Sequence, residues 1–369
     1  MDTSDAFITF DERGFCNHCR TFERKLAEEL PPLDRAGDLL ARLVAQIKAE
    51  GRGRPYDCVI GLSGGVDSSY VALQVVRLGL RPLAIHLDNG WNSELAVKNI
   101  ESIVRTLDID LITHVLDWDE FADLQRSFFY ASVSNCEMPT DHAINATLFH
   151  HAAKHRIRHI ISGSNLMTEG MHLPPAWGHD NKDWANILDI HRKHGRVPLK
   201  TFPRMTFFNF LWYVFVRRIR FVPLLNLVPY RKDEVTHVIE KELGWRNYGR
   251  KHGESSFTRF YQEHYLPVKF GFDKRRLHLS TLIMSGQISR EEALRQLVAP
   301  LFVPQELRDY EELFLKKLRF TREEWAKILA TAPRAHTEYR HNTLLSARHT
   351  PLYRFGRKVA TGRQSVHAS

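Results

Sequence analysis

Between residues 57 and 162 short apolar runs alternate with stretches whose apolar positions recur at helical spacing. Asp57 to Leu62 predicts a strand and Ser69 to Leu78 a helix. Leu83 to Leu87 reads as a second strand, Glu94 to Leu107 as a second helix and Leu111 to Val115 as a third strand. Asp141 to His155 follows as a helix and His159 to Ser162 as a fourth strand. Strand and helix in turn predict an α/β fold, a doubly wound parallel sheet with right-handed crossovers. A ligand then sits beyond the carboxyl ends of the strands. Upstream, Leu33 to Glu50 carries Leu39, Leu40, Leu43, Val44 and Ile47 on one helical face, and the linker Gly51-Arg-Gly-Arg-Pro55 follows. From about Asp180 the alternation fades. Residues 230–335 read as helical, with a capping box at Ser289-Arg-Glu-Glu292. The pattern divides the chain into a cysteine-bearing segment over 1–30, an α/β domain over 31–200, a C-terminal, mostly helical region over 201–335 and a basic flexible tail over 336–369.

Thr206 to Val228 is rich in Phe, Trp, Tyr, Val and Leu. Arg217, Arg218 and Arg220 cut it short of the roughly 20 uncharged residues a spanning helix needs. It reads as a buried or partner-covered helix, with a surface helix on the inner leaflet as the alternative. Composition sharpens the picture in three ways. Apolar residues at 43% and charged residues at 26% exclude a largely disordered chain. A net charge of +9 favours anionic partners without choosing among them. Four cysteines in 369 residues are not a disulfide scaffold, and no basic start followed by an apolar run marks secretion. The expected location is cytoplasmic.

The most informative stretch runs from Val59 to Tyr70, where an apolar strand enters Leu62-Ser-Gly-Gly-Val-Asp-Ser68 and then a helix. Gly64 and Gly65 let the backbone approach a ligand and turn its N–H groups inward. The helix N-terminus adds positive dipole, and Ser63 and Ser68 add hydroxyls. Asp67 would repel a bare phosphate, so it makes sense with Mg²⁺ nearby. The Walker pattern, which needs Gly-Lys-Ser/Thr, is absent. The stretch resembles the PP-loop of the ATP pyrophosphatases, which bind ATP through the departing pyrophosphate and adenylate a substrate oxygen. A nitrogen or sulfur nucleophile then displaces AMP. Leu87-Asp88-Asn89-Gly90 falls on the rim where such enzymes seat adenosine. Ser164 and Glu169, after the fourth strand, have the spacing of a pair that holds ATP and Mg²⁺ in NAD synthetases. Ser164 alone would equally suit a helix N-cap.

Four further strings carry a narrower resemblance. They are Asp88-Asn-Gly-Trp-Asn-Ser93, residues 132–144 around Cys136 and Thr140-Asp-His142, residues 244–261, and residues 273–292. Together they resemble the N-acetyl sugar amidotransferase family of bacterial surface polysaccharide (LPS O-antigen) biosynthesis, over about residues 4 to 300. The resemblance implies that ATP activates the acetamido oxygen of a nucleotide-activated N-acetyl sugar. Ammonia from separate glutaminase and synthase-like subunits then gives an acetamidino group, AMP and pyrophosphate. It implies Asp67 and Ser63 as catalytic residues and Leu62, Ser63, Gly64, Gly65, Asp67, Ser68, Asp88, Ser164 and Glu169 as the ATP site. Thr140, Asp141 and His142 would bind the acetamido group or a sugar hydroxyl, with His142 also a candidate general base. An N-cap with a polar histidine is the plain alternative. Lys251, Glu254, Arg259, Lys274 and Arg275 would reach the sugar nucleotide, or else form a solvated face. Phe207 to Val216, ending in Arg217 and Arg218, is a candidate glutaminase-docking surface or a piece of the helical core.

Cys16-Asn-His-Cys19 is half of a four-ligand zinc site. Relatives in that family carry an earlier Cys-x-x-Cys, so Zn²⁺ is expected only if such upstream cysteines are restored. His18, between the two, is badly placed to help. Cys136 would line the sugar pocket or be buried, and Cys58 belongs to the core. A second reading is a PP-loop tRNA-modifying, thiolation-type enzyme, which would need a catalytic cysteine near ATP and an RNA-binding module. No such module is visible, and no nucleic-acid partner is expected. A nucleotide-binding scaffold that recruits the glutaminase is a third.

Overall fold

The computed structural model describes residues 1–249 and 253–343. Five parallel strands, β1 (Cys58–Gly61), β2 (Pro82–Asp88), β3 (Asp110–Val115), β4 (His159–Ser162) and β5 (Arg220–Pro223), form one sheet in the order β3-β2-β1-β4-β5. β1 is central, and Cys58, Val59 and Ile60 are all buried, as a strand covered on both faces must be.

The helices, in chain order, are α1 (Asn17–Glu29), α2 (Leu33–Gly51), α3 (Val66–Arg77), α4 (Glu94–Leu107), α5 (Trp118–Ala131), α6 (Met138–Lys154), α7 (Leu166–Glu169) and α8 (Trp184–His194). There follow α9 (Phe207–Leu211), α10 (Lys232–Leu243), α11 (Ser256–Phe260), α12 (Leu266–Phe270), α13 (Lys274–Met284), α14 (Arg290–Val298), α15 (Pro304–Leu318) and α16 (Arg322–Ala330). One sheet face packs with α2, α3, α4 and α10 through Ile47, Val71, Val75, Ile100, Ile103 and Ile239. The other is covered by α6 through Ala146, Leu148, Phe149 and Ala152. A separate aromatic core joins α5 to the C-terminal helices, with Phe129 meeting Phe257, Tyr265, Phe314, Phe320 and Trp325.

Four expectations are corrected, and one helix that the pattern did not mark is added. The sheet takes a fifth strand at Arg220–Pro223, so the α/β unit runs past residue 200. That strand is short and opens on arginine; pairing with β4, not its own pattern, makes it a strand. α5 shows no clean stripe because it is buried nearly all round, with Phe121, Leu124, Phe128 and even Gln125 and Ser127 inside. At α14, Ser289 accepts from the Glu292 N–H, but the Glu292 side chain bonds Arg295 and Gln296 instead of closing a capping box. The stretch expected as a buried or partner-covered helix is α9 followed by a π-helical turn (Trp212–Val216); Tyr213 and Val214 are buried, while Phe208, Trp212, Phe215 and Val216 are exposed. The segment from residue 336 to 343, expected in the flexible tail, packs down: His336 is buried and its carbonyl accepts from Asn186 at 2.9 Å. Residues 344–369 lie outside the described residues. No helix among the described residues is long and apolar enough to cross a membrane.

Candidate active site

From β1 the chain builds outward to β2 and β3, then crosses back to add β4 and β5 on the other side of β1. The carboxyl ends of β1 and β4 therefore frame the switch-point crevice where open α/β sheets bind ligands. The loop after β1 fills it. α3 starts at Val66, earlier than its apolar pattern suggests, which places Asp67 and Ser68 in the first helical turn. Ser63 and Ser68 share a hydrogen bond of 3.0 Å between their hydroxyls. The Gly65 N–H donates to Ser63 Oγ at 3.3 Å, and Ser68 Oγ donates to the Gly65 carbonyl at 3.1 Å. Gly64 has φ of +80°, and a Cβ there would come within 2.9 Å of the Ala96 carbonyl, so only glycine fits. Leu62, expected among the ATP contacts, is buried; its N–H donates to the Ile85 carbonyl and its carbonyl accepts from His86 Nδ1 at 2.9 Å. It anchors the loop to β2 and contributes no side chain to the crevice.

Residues that sequence reasoning left unassigned hold the loop from above. Trp245 Nε1 donates to the Gly64 carbonyl at 2.7 Å, and Tyr248 Oη donates to the same oxygen at 2.9 Å. Their strap is itself pinned: the Arg246 N–H donates to Asn99 Oδ1 at 2.8 Å, and Asn99 Nδ2 returns a bond to the Arg246 carbonyl at 2.9 Å. Further on, the Ser93 N–H donates to the Glu254 carbonyl at 2.9 Å. The Glu254 carboxylate, expected at the sugar nucleotide, lies 3.9 Å from the place a Cβ on Gly65 would occupy, so it borders the phosphate loop. Lys251 lies outside the described residues. The only sequence signal for the strap was membership of the 244–261 string.

Asp67 is met from the β4 side. Gly163 packs so closely that a Cβ there would lie 3.0 Å from the Asp67 backbone. Asn165 Nδ2 approaches Asp67 Oδ1 at 3.4 Å, and the Tyr230 hydroxyl donates to the same oxygen. Burial, Asp67 and then Glu169 push the Tyr230 phenol well above its ordinary value. Both carboxylates thus act on one phenol, and that oxygen donor set suits Mg²⁺ held jointly with phosphates. Ser164 is exposed and bonded to Ser162; the cap of α7 is Asn165, whose Oδ1 accepts from the Thr168 N–H at 2.9 Å. Asp88 accepts from the Gly90 N–H at 2.9 Å and shapes the rim at the end of β2. Lys317 closes that rim, its Nζ 4.7 Å from the Trp91 ring centre and 5.0 Å from that of Trp118.

Beside Glu169 opens a cleft of about 260 Å³ lined among others by Arg259, Gln262, Lys274, His278 and Thr281. Lys274 pairs with Glu137 at 3.2 Å, and Gln262 donates to the same carboxylate at 2.8 Å. Asp141 stands behind this group and accepts from Asn181 at 2.7 Å. Burial, then the negative charge of Glu137, pushes its carboxyl up to about 7. The Thr140 hydroxyl is buried with no hydrogen-bond partner among the described residues.

Three expected site residues are bonded within the protein itself. His142 is fully buried: Nδ1 donates to the Asn181 carbonyl at 2.8 Å and Nε2 accepts from the Met205 N–H at 3.0 Å. Burial pushes its imidazole down to about 4, so with both nitrogens engaged it serves as neither base nor sugar ligand. Arg275 lines the cleft, and its guanidinium also bonds Asp273 at 2.9 Å and the carbonyls of Gln296 and Ala299 at the end of α14. Arg259 is buried between Phe302 and Tyr310 and pairs with Glu306 at 2.6 Å, so it braces the cleft wall. Cys136 is fully buried, its thiol pushed well up by burial, which makes it inert and removes the one thiol a thiolation reading could use. Cys16 and Cys19 place their sulfurs 3.4 Å apart, while His18 is bound to Asp5 at 2.6 Å. Among the described residues no set of three or more ligands gathers for a metal.

No curated protein matches the chain. Two solved structures align over most of its length. One is titled "Structure of NMN synthetase from Francisella tularensis", with 17% identity, 71% of this chain and 96% of that chain covered, and a TM-score of 0.36. The other is an NH3-dependent NAD synthetase from Campylobacter jejuni subsp. jejuni NCTC 11168 in complex with the nitrate ion, with 13% identity, 82% and 99% covered, and a TM-score of 0.35. Superpositions at that level leave the fold assignment to the strand order itself. Residues 254–356, which hold the outer wall of the cleft, match the family model described as LPS biosynthesis protein WbpG-like, C-terminal domain, and in that segment the chain is similar to that LPS biosynthesis family.

Proposed function

We propose that the protein is an AMP-forming, ATP-dependent amidotransferase that converts an N-acetyl group of a nucleotide-activated sugar to an acetamidino group. The observation that carries this reading is the convergence, at one switch point, of a Ser/Gly phosphate loop, two carboxylates and a cleft walled by the LPS-family segment. An amide oxygen is a poor leaving group. In the proposed reaction it attacks the α-phosphorus of ATP, and pyrophosphate departs into the loop of Ser63, Gly64, Gly65 and Ser68. Ammonia then adds to the imidate carbon, a proton is lost, and the C–O bond breaks to release AMP. Mg²⁺ held by Asp67 and Glu169 would offset the charge on the departing pyrophosphate.

Within that scheme the chain's own groups divide the work. Loop N–H groups and the first turn of α3 stabilise phosphate charge. Lys274, paired with Glu137 at the cleft wall, supplies a cation toward the sugar nucleotide's phosphates. Asp141, raised to about 7 and close to that wall, can take the proton that the adding ammonia sheds. Separate glutaminase and synthase-like subunits would supply the ammonia. A test is AMP release from ATP with ammonium and a panel of nucleotide-linked N-acetyl sugars, with mass spectrometry of the sugar product. The expected product is one mass unit lighter, because NH replaces O. Asp67→Asn should lower AMP release by roughly 10²–10³ while the melting temperature holds. AMP release that ignores every sugar, or a sugar of unchanged mass, refutes the reading.

A further inference from the structure

The end of the sheet opposite the phosphate loop gathers arginines from three loops, with Asp57 there paired to Arg81 and Asp110 bonded by Tyr56. Arg52 and Arg54 precede β1, Arg156 and Arg158 precede β4, and Arg218 and Arg220 flank the start of β5. Direct bonds hold these loops side by side: the Arg54 guanidinium donates to the Arg156 carbonyl, and the Arg220 N–H donates to the Arg158 carbonyl at 2.8 Å. Among the described residues a single carboxylate, Glu50, pairs with any arginine of these three loops, at 3.6 Å from Arg158 and 3.7 Å from Arg220.

An apolar stripe adjoins these arginines. Phe208 is 79% exposed, Trp212 44%, Phe215 46% and Val216 66%. Tyr213 and Val214 of the same turn are buried, and Tyr213 packs on Phe149 with ring centres 5.6 Å apart, which holds the stripe outward. Arg217 joins the two features: its guanidinium lies 5.3 Å from the Trp212 ring centre and donates to the Ala153 carbonyl at 2.6 Å. Apolar side chains this exposed, in contact with arginine, mark an interaction surface.

We propose that this surface docks the protein on an anionic lipid bilayer, with the arginines at phosphate headgroups and Phe208, Trp212, Phe215 and Val216 in the interfacial zone. Cations drawn from three adjoining loops match an extended polyanion. Side chains that protrude need a soft apolar phase around them, which a bilayer supplies and a nucleic acid does not. The phosphate loop and cleft lie at the other end of the strands, so docking leaves them open.

Flotation of the full chain with vesicles tests this. The protein should float with phosphatidylcholine–phosphatidylglycerol vesicles, stay behind with pure phosphatidylcholine, and be released by high salt. Arg156→Ala with Arg218→Ala should weaken partition roughly 25-fold, at roughly fivefold per cation. Phe208→Ser with Trp212→Ser should weaken it roughly tenfold or more at unchanged charge. Circular dichroism melts and ATP binding should match the parent in both variants; Phe215→Ser alone repeats the test should the double variant misfold. The proposal is overturned if the parent ignores anionic vesicles at low salt, or if the Phe208/Trp212 variant floats like the parent. It is equally overturned if these substitutions abolish binding to purified tRNA or to the glutaminase while vesicles are not bound at all.

Discussion

Tyr248→Phe removes one hydroxyl from above the phosphate loop and leaves the ring in place. The Gly64 carbonyl is buried and accepts two bonds, from Trp245 at 2.7 Å and from Tyr248 at 2.9 Å. Losing one leaves the oxygen satisfied, so the cost is the net worth of one hydrogen bond, about 1 kcal/mol. That bond forms only while Gly64 holds its left-handed conformation, so the cost falls on the loop and weakens ATP binding about fivefold. Losing both, as Trp245→Phe with Tyr248→Phe, leaves a buried carbonyl with no donor. The pair should therefore cost more than the sum of its parts, about 3 kcal/mol and roughly a hundredfold in ATP affinity. Burial pushes the Tyr248 hydroxyl up to about 12, so it stays protonated and the effect should not vary across the neutral range. The assay is KM for ATP and for the nucleotide sugar from AMP release, with ATP affinity by calorimetry and thermal melts as the folding control. The rise should appear in ATP alone. A double variant with parental ATP affinity, or one that loses only sugar affinity, refutes the strap as the loop's support.

Asp141→Asn should abolish the rise of rate with pH through about 7, measured at constant free ammonia, because the group that titrates there is gone; an unchanged profile assigns the proton transfer elsewhere. Arg275→Ala should lower stability by roughly 1–2 kcal/mol, since its bonds go to Asp273 and to the end of α14, and raise the sugar KM, since it also lines the cleft; parental stability with an unchanged KM would contradict both roles. Burial holds His142 and His336 neutral down to about 4 and about 3, whereas in the unfolded chain they take a proton near 6.5. The unfolded state then binds more protons, so stability falls as pH drops from about 6.5 toward 4, by up to about 1.4 kcal/mol per unit per histidine. Urea melts at either end of that window should show it, and a midpoint that does not move would contradict the buried, neutral imidazoles.

Local signals were strong where one short stretch suffices to specify its conformation. The run from Val59 to Tyr70 carries its own strand, its own positive-φ glycine and its own helix start, and it forms the loop as read. β4 and α4 match their patterns to the residue, because a short run centred on Ile160 and Ile161 and a capped amphipathic stripe are local properties. The candidacy of Asp67 and Glu169 for Mg²⁺ rested on spacing and resemblance. What neither could supply is anything decided by partners distant in sequence. Arg220–Pro223 becomes a strand because β4 offers an open edge, and α5 is a helix buried on all sides because the C-terminal aromatics close over it. His142 had the right chemistry at the right helix start, but the carbonyl of Asn181 and the N–H of Met205 claim both its nitrogens. Burial and then Glu137 raise Asp141, one residue earlier, into the neutral range. Trp245 and Tyr248 meet Gly64 across about 180 residues of chain, and no periodicity reports a contact of that kind. Sequence alone thus determined the chemistry brought to the switch point, because backbone conformation at Ser63–Ser68 is locally encoded; tertiary packing decided which neighbouring groups can act there, because burial and hydrogen-bond occupancy exist only once distant segments meet.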